Sequence, residues 1–186
     1  MNARSLFIGT VATIATSGLV TGAQAHRAAG QYSDSDSEKH SKSRCSTRVE
    51  DRNLTNFNNY LDALFSGNSE AALGAWAEEG VVEVQGSVPY AGTYRVVDGT
   101  YNQVLGTTWS IEPPAGGQNE IDLWADCDQV ILRGAFDATS IATGEKMSTS
   151  VIEIFSFNDK GKIIRDDFAF TDTVVVAEAL TPDSSS

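Results

Sequence analysis

Histidine is nearly absent from this chain. The two present, His26 and His40, fall in a polar N-terminal stretch outside the segment that reads as folded. A Ser-His-Asp or Cys-His catalytic centre is therefore excluded on inventory, and a His/Cys zinc site nearly so. Basic residues are scarce as well: 13 Lys and Arg stand against 25 Asp and Glu, a formal charge of −12. No basic patch with interleaved aromatics occurs, so nucleic acid is not an expected partner. An acidic membrane surface is disfavoured by the same charge balance. No Gly-rich phosphate loop or dinucleotide fingerprint follows a strand. Neither a cofactor nor a metal is expected, and any chemistry must come from carboxylates, phenols, amides or arginine.

What is present begins with a targeting segment. Arg4, the apolar run "LFIGTVATIATSGLV" and the small-x-small "AQA" at 23–25 read as a signal peptide over 1–25, cleaved after Ala25. The run is too short and too rich in Thr, Ser and Gly to span a bilayer stably. A secreted or periplasmic protein with no membrane contact after cleavage is the expectation. The only cysteines, Cys45 and Cys127, then meet an oxidising compartment, where an even count favours a disulfide between them; two free thiols are the alternative.

Residues 26–48 are Ser-rich and charged, with little to bury, and read as a flexible leader. From 49 to 180 the pattern is that of one domain, and 181–186 reads as a disordered tail. Leu54, Phe57, Leu61, Leu64 and Phe65 recur at helical spacing in "VEDRNLTNFNNYLDALFSGN". Gly67 and Asn68 end that helix, and "SEAALGAWAEE" predicts a second. A strand, "VVEVQG", and a poorer helix candidate, "YRVVDGTYNQVLG", follow. The rest is β-rich, in runs separated by Gly, Asp and Asn as in antiparallel hairpins. Helices first and a curled antiparallel sheet after them predict an α+β domain: a cone-shaped sheet packed against N-terminal helices.

The hairpin "VIEIFSFNDKGKIIRDDFAF" (151–170) carries acids among apolar neighbours. "NDKG" suits a type I turn closed by Gly161 in the left-handed region. Pairing Asn158 with Lys162 predicts that Glu153 faces Asp167. A slip of one residue puts Asp166 opposite Glu153 instead and sends Asp167 to the other face. Two carboxylates meeting in a dry site avoid repulsion by sharing a proton, which gives one acid and one base for a single ligand. Glu153 alternates with Val151, Phe155 and Phe157, so it is expected inside the cone. Ile152 and Ile154 are expected on the opposite face. The bland alternative is that Glu153 pairs with Arg133 or Arg165, and that the two aspartates are merely solvated.

"NNYLDALFSGNSEAALGAWAEEGVVEV", "PYAGTYR" and "VIEIFSFNDKGKI" resemble the nuclear transport factor 2-like superfamily. Within it, the chain is similar to ketosteroid isomerases and SnoaL-like polyketide cyclases over about residues 49 to 180. The resemblance implies Tyr60 as an oxyanion donor and Glu153 as the acid donating to the same oxyanion, a pairing that is itself a known worked case of a carboxyl kept neutral. The isomerases' general base falls at Val84, which cannot take a proton. The cyclases' catalytic aspartate falls near Asp167. Phe57, Trp76, Val84, Trp109, Trp124 and Phe155 are the candidate lining of a pocket, and a homodimer is the implied assembly.

Two functions follow as expectations. One is a cofactor-free enzyme that isomerises, cyclises or dehydrates a hydrophobic polyketide- or terpenoid-like molecule, as in natural-product biosynthesis, with epoxide opening as a neighbouring chemistry. The other is a non-catalytic module that binds a small ligand or dimerises through the same fold.

Overall fold

The computed structural model describes residues 46–112 and 121–182. The expected signal peptide, nearly all of the leader, Cys45 and most of the tail lie outside the described residues.

Helix α1 (Thr47–Phe65) buries Asn53, Phe57, Leu61 and Ala63 along one stripe. The second helix is shorter than its sequence suggests: α2 spans only Ser69–Gly74, and Trp76 already opens strand β1 (Trp76–Val84). A 9-residue strand with a polar central stretch (Glu78, Glu79) reads locally as helix; its pairing with a strand far along the chain decides otherwise. The segment predicted as one poor helix is split. It begins with β2 (Gly92–Arg95) and a 3-10 turn (Val96–Asp98), and continues as α3 (Thr100–Thr108). Gly99, at φ 67°, supplies the left-handed residue at the junction.

Strands β3 (Trp109–Glu112), β4 (Asp122–Asp126), β5 (Gln129–Ser140), β6 (Lys146–Phe157) and β7 (Ile163–Phe170) complete the sheet. Helix α4 (Thr173–Leu180) follows them. The strand order is β2-β1-β7-β6-β5-β3, with β4 beside β3 on β5. All neighbours run antiparallel except β1 and β7, which are parallel. Helix α4 was not foreseen, because "TVVVAEAL" opens on β-branched residues that favour strands. Asp172 nonetheless caps it by accepting from the backbone N–H groups of Val174 and Val175. The architecture is a curled sheet with helices ahead of it, an α+β fold.

The hairpin between β6 and β7 closes as its sequence predicts and then departs. Asn158 N–H donates to the Lys162 carbonyl at 2.9 Å, Gly161 sits at φ 74°, and Phe157 pairs with Ile163. Beyond that pair β7 bulges at Ile164, and the register moves by one. Ser156 then pairs with Arg165, Phe155 with Asp166, Ile154 with Asp167 and Glu153 with Phe168. The cause is burial. An unbulged β7 would turn Arg165, Asp167 and Ala169 inward and leave Phe168 and Phe170 on the far face. The bulge instead buries both phenylalanines, to 4% and 6% exposure. Each such side chain is worth about 2–3 kcal/mol.

Candidate functional site

Glu153 does not face Asp167. The inward partner is Asp166, which is 4% exposed and lies diagonally across the strand pair from Glu153. The two carboxyls are hydrogen-bonded to each other. Diagonal neighbours on one face of an antiparallel pair lie within reach when the side chains are long, as glutamate's is. Together the four positions form a checkerboard: Phe155 beside Asp166, and Glu153 beside Phe168.

Asp167 projects from the opposite face, which corrects its expected role as a base. Arg165 donates to both of its oxygens, Nε at 3.0 and 2.9 Å and Nη2 at 2.9 Å, and also bonds Glu83. Gln85 Nε2 reaches Glu83 at 3.1 Å and Asp167 at 3.4 Å. This is a partly exposed ion-pair cluster on the outer side of β1 and β7. Glu83 points outward, as its alternation with Val84 implied.

The inner carboxyls sit among rings. Tyr60, on the apolar side of α1, packs against Phe57, Trp76 and Phe155, with centroids 5.9, 6.1 and 6.0 Å away. Phe155 is the cross-strand partner of Asp166. At the other end of the diagonal, Tyr101 of α3 stacks edge-on to Phe168 at 6.3 Å, and Phe168 is the cross-strand partner of Glu153. Two phenols thus bracket two acids. Tyr101 was not among the expected site residues; it lies in the poorer helix candidate "YRVVDGTYNQVLG", and the resemblance that pointed to Tyr60 says nothing of it.

Burial governs the electrostatics. Desolvation raises Glu153 to about 7, although its bond to Asp166 acts the other way. Desolvation also raises Asp166 well above the usual carboxylate range, and the charge and hydrogen bond of Glu153 add to it. Asp166 Oδ1 is buried with no hydrogen-bond partner. An unpaired oxygen is far less costly on a neutral carboxyl than on a carboxylate, so the proton resides on Asp166, which donates to Glu153. Tyr60 and Tyr101 are both raised, first by burial and then by the two acids, while the Trp76 indole beside Tyr60 opposes the shift there. Both phenols stay neutral donors.

Tyr60, Tyr101 and Glu153 are each partly buried. Tyr60 also borders an open cavity of about 380 Å³ between α1, α2 and the β6–β7 turn.

The other candidates separate. Phe57, Trp76, Val84 and Phe155 belong to the same buried cluster as the site. Val84 is 3% exposed and pairs with Phe168. Trp109 is 2% exposed, and its indole N–H donates to the Tyr90 hydroxyl at 2.8 Å, which fixes it as packed core instead of a pocket mouth. Trp124 pairs with Ile131, one residue out of phase with the inward pair Leu123 and Leu132, so it lies on the outer face with Ile152 and Ile154 and lines no inner pocket. The disulfide involves Cys45, outside the described residues. Its expected partner Cys127 occupies the β4–β5 turn with Sγ within 4.8 Å of a Glu50 carboxylate oxygen. The Cys127 carbonyl accepts from Asn53 Nδ2 at 3.1 Å.

No protein-family model matches the chain, and no curated protein matches it. Solved structures do. An NTF2-like protein from Burkholderia xenovorans LB400 superimposes with a TM-score of 0.61 at 18% identity, covering 71% of this chain and 98% of that one. An NTF2-like protein from Burkholderia thailandensis E264 gives 0.58 at 24% identity, covering 70% and 98%. TerC co-crystallised with polyporic acid gives 0.53 at 17% identity, covering 69% and 98%. The chain has the NTF2-like fold, as the sequence resemblance implied. At these identities the likeness establishes the fold and not the reaction.

Proposed function

We propose that this protein is a cofactor-free enzyme that moves a proton on a hydrophobic, carbonyl- or enol-bearing small molecule. The observation that carries the reading is the Glu153–Asp166 pair: two hydrogen-bonded acids among aromatic side chains, with one buried oxygen unpartnered. Glu153, ionised in part near neutral pH, takes the proton from an activated C–H. Tyr60, neutral, donates a hydrogen bond to the oxygen on which the electron pair accumulates, while the single Asp166 proton stays in its bond to the other oxygen of Glu153. Returning the proton from Glu153 to a different atom completes an isomerisation; attack by the enolate carbon on a second carbonyl completes a cyclisation. Tyr60 keeps the role expected for it; Glu153, expected as the acid, becomes the base, and Asp166 takes the place beside it that was expected for Asp167.

The test is deuterium incorporation at the α-carbon of a panel of aromatic ketones and 1,3-diketones in D2O, followed by NMR. The wild type is expected to accelerate exchange at least 100-fold over buffer for some member of the panel. Glu153→Gln and Asp166→Asn each abolish the gain with the fold intact. Exchange unaffected by either substitution rejects the reading. Val84, buried where the related isomerases carry their base, favours the second reading, a non-catalytic binder. That reading predicts ligand affinity without exchange.

A further inference from the structure

We infer that Tyr101 is a second polar contact for the ligand: it holds an oxygen at the end of the acid pair opposite Tyr60, and so selects ring or enol compounds that carry oxygen at both ends. The inference rests on the proton-transfer reading and narrows its substrate class. The four inward residues of the β6–β7 pair form a square, with Phe155 across from Asp166 and Glu153 across from Phe168. The acids take one diagonal and the phenylalanines the other. Each phenylalanine carries one phenol against it: Tyr60 of α1 meets Phe155 at 6.0 Å, and Tyr101 of α3 meets Phe168 at 6.3 Å. Two helices thus deliver two phenols to opposite corners. The electrostatics agree. Burial raises both phenols most, and the next influence is Asp166 at Tyr60 but Glu153 at Tyr101.

Packing alone places Tyr101. Its ring lies against Phe168 and against Tyr94, the latter at 5.7 Å and 41°. Tyr94 is itself anchored, since its hydroxyl donates to the Tyr90 carbonyl at 2.6 Å. Among the described residues the Tyr101 hydroxyl has no hydrogen-bond partner, and the buried side-chain atom left without one is Asp166 Oδ1 instead, so the hydroxyl is not sealed in. Tyrosine hydroxyls inside a fold normally find a partner, and this one is free to take it from a ligand. Burial keeps the phenol neutral, so it suits a neutral oxygen, carbonyl or hydroxyl. At this end a ligand hydroxyl can accept from Tyr101 and donate to Glu153, so a ligand with a single hydroxyl settles here. A second oxygen reaches Tyr60.

The probes are naphthalene, 2-naphthol and 2,6-dihydroxynaphthalene, with no, one and two oxygens, in fluorescence titrations of the full chain. The diol is expected to bind at least about 3-fold more tightly than 2-naphthol, and 2-naphthol at least about 3-fold more tightly than naphthalene. Tyr101→Phe weakens the diol and 2-naphthol by about 5- to 10-fold and leaves naphthalene unchanged, a pattern that lost packing would not give. Tyr60→Phe weakens only the diol. A diol no tighter than 2-naphthol, no binding of any probe, or a Tyr101→Phe loss shared equally by naphthalene overturns the inference. Any of these beside deuterium exchange that requires Glu153 leaves the proton-transfer reading standing. Diol binding that depends on both phenols, in a protein that exchanges no ketone proton, removes that reading and keeps the two-ended site.

Discussion

Glu153 and Asp166 meet on the inner face of the sheet because β7 bulges by one residue at Ile164, carrying Asp166 inward and Asp167 outward. A bulge beside a functional pair is a common device for re-aiming a side chain. Here it exchanges one aspartate for its neighbour.

The first consequence concerns stability and pH. Both acids have folded-state values above the unfolded ones, which lie near 3.9 and 4.3. The fold therefore prefers them protonated. Their favourable contribution is complete below about pH 4 and is lost as pH rises through about 7 for Glu153 and through a point well above the usual carboxylate range for Asp166. Urea unfolding is expected to show stability falling by on the order of 2–3 kcal/mol between pH 4.5 and 8. Asp166→Asn should flatten that slope. A slope unchanged in this variant would contradict the assignment.

Asp167→Asn is expected to behave as a surface change. Its ion pair with Arg165 is partly exposed, at 28% and 41% for the two side chains, and such pairs contribute about 0–1 kcal/mol. Deuterium exchange should persist at the wild-type rate. A variant that loses exchange while folded would restore Asp167 to the site.

Gly161→Ala tests the clamp on the β6–β7 turn. A Cβ there would lie 2.5 Å from Asn56 Nδ2, in a backbone conformation at φ 74° that L-residues avoid. A loss of about 1–3 kcal/mol in urea unfolding is expected. A neutral result would mean that the turn is not held by α1.

Most of the frame was legible in the chain. Helix α1, the hairpin turn, the inward alternation of Val151, Glu153, Phe155 and Phe157, and the outward Glu83 all follow from local period and turn chemistry. The bulge was legible in principle, since only it buries Phe168 and Phe170, but a register counted from the turn alone misses it. Trp76 and Gly80 show the opposite limit. β1 begins inside an apparently helical segment, and its bulge puts a Gly80 Cβ position 2.8 Å from the Trp76 ring. Nothing local announces that. Trp124 failed for a similar reason: its face is set by pairing with β5, which composition does not encode.

Tyr101→Phe should weaken binding of 2-naphthol by about 5- to 10-fold, the value of one neutral hydrogen bond in a dry site. The Phe168 contact, made by the ring, should be retained, with near-ultraviolet circular dichroism unchanged. Unaltered affinity would remove Tyr101 from the site.

The most direct measurement is the carboxyl-carbon NMR titration of Glu153 and Asp166 in the wild-type protein. One carboxyl is expected to titrate near pH 7 and the other well above the usual carboxylate range, with Glu153→Gln changing the titration of Asp166. Two independent curves centred near pH 4 would contradict the shared proton and with it the proposed chemistry.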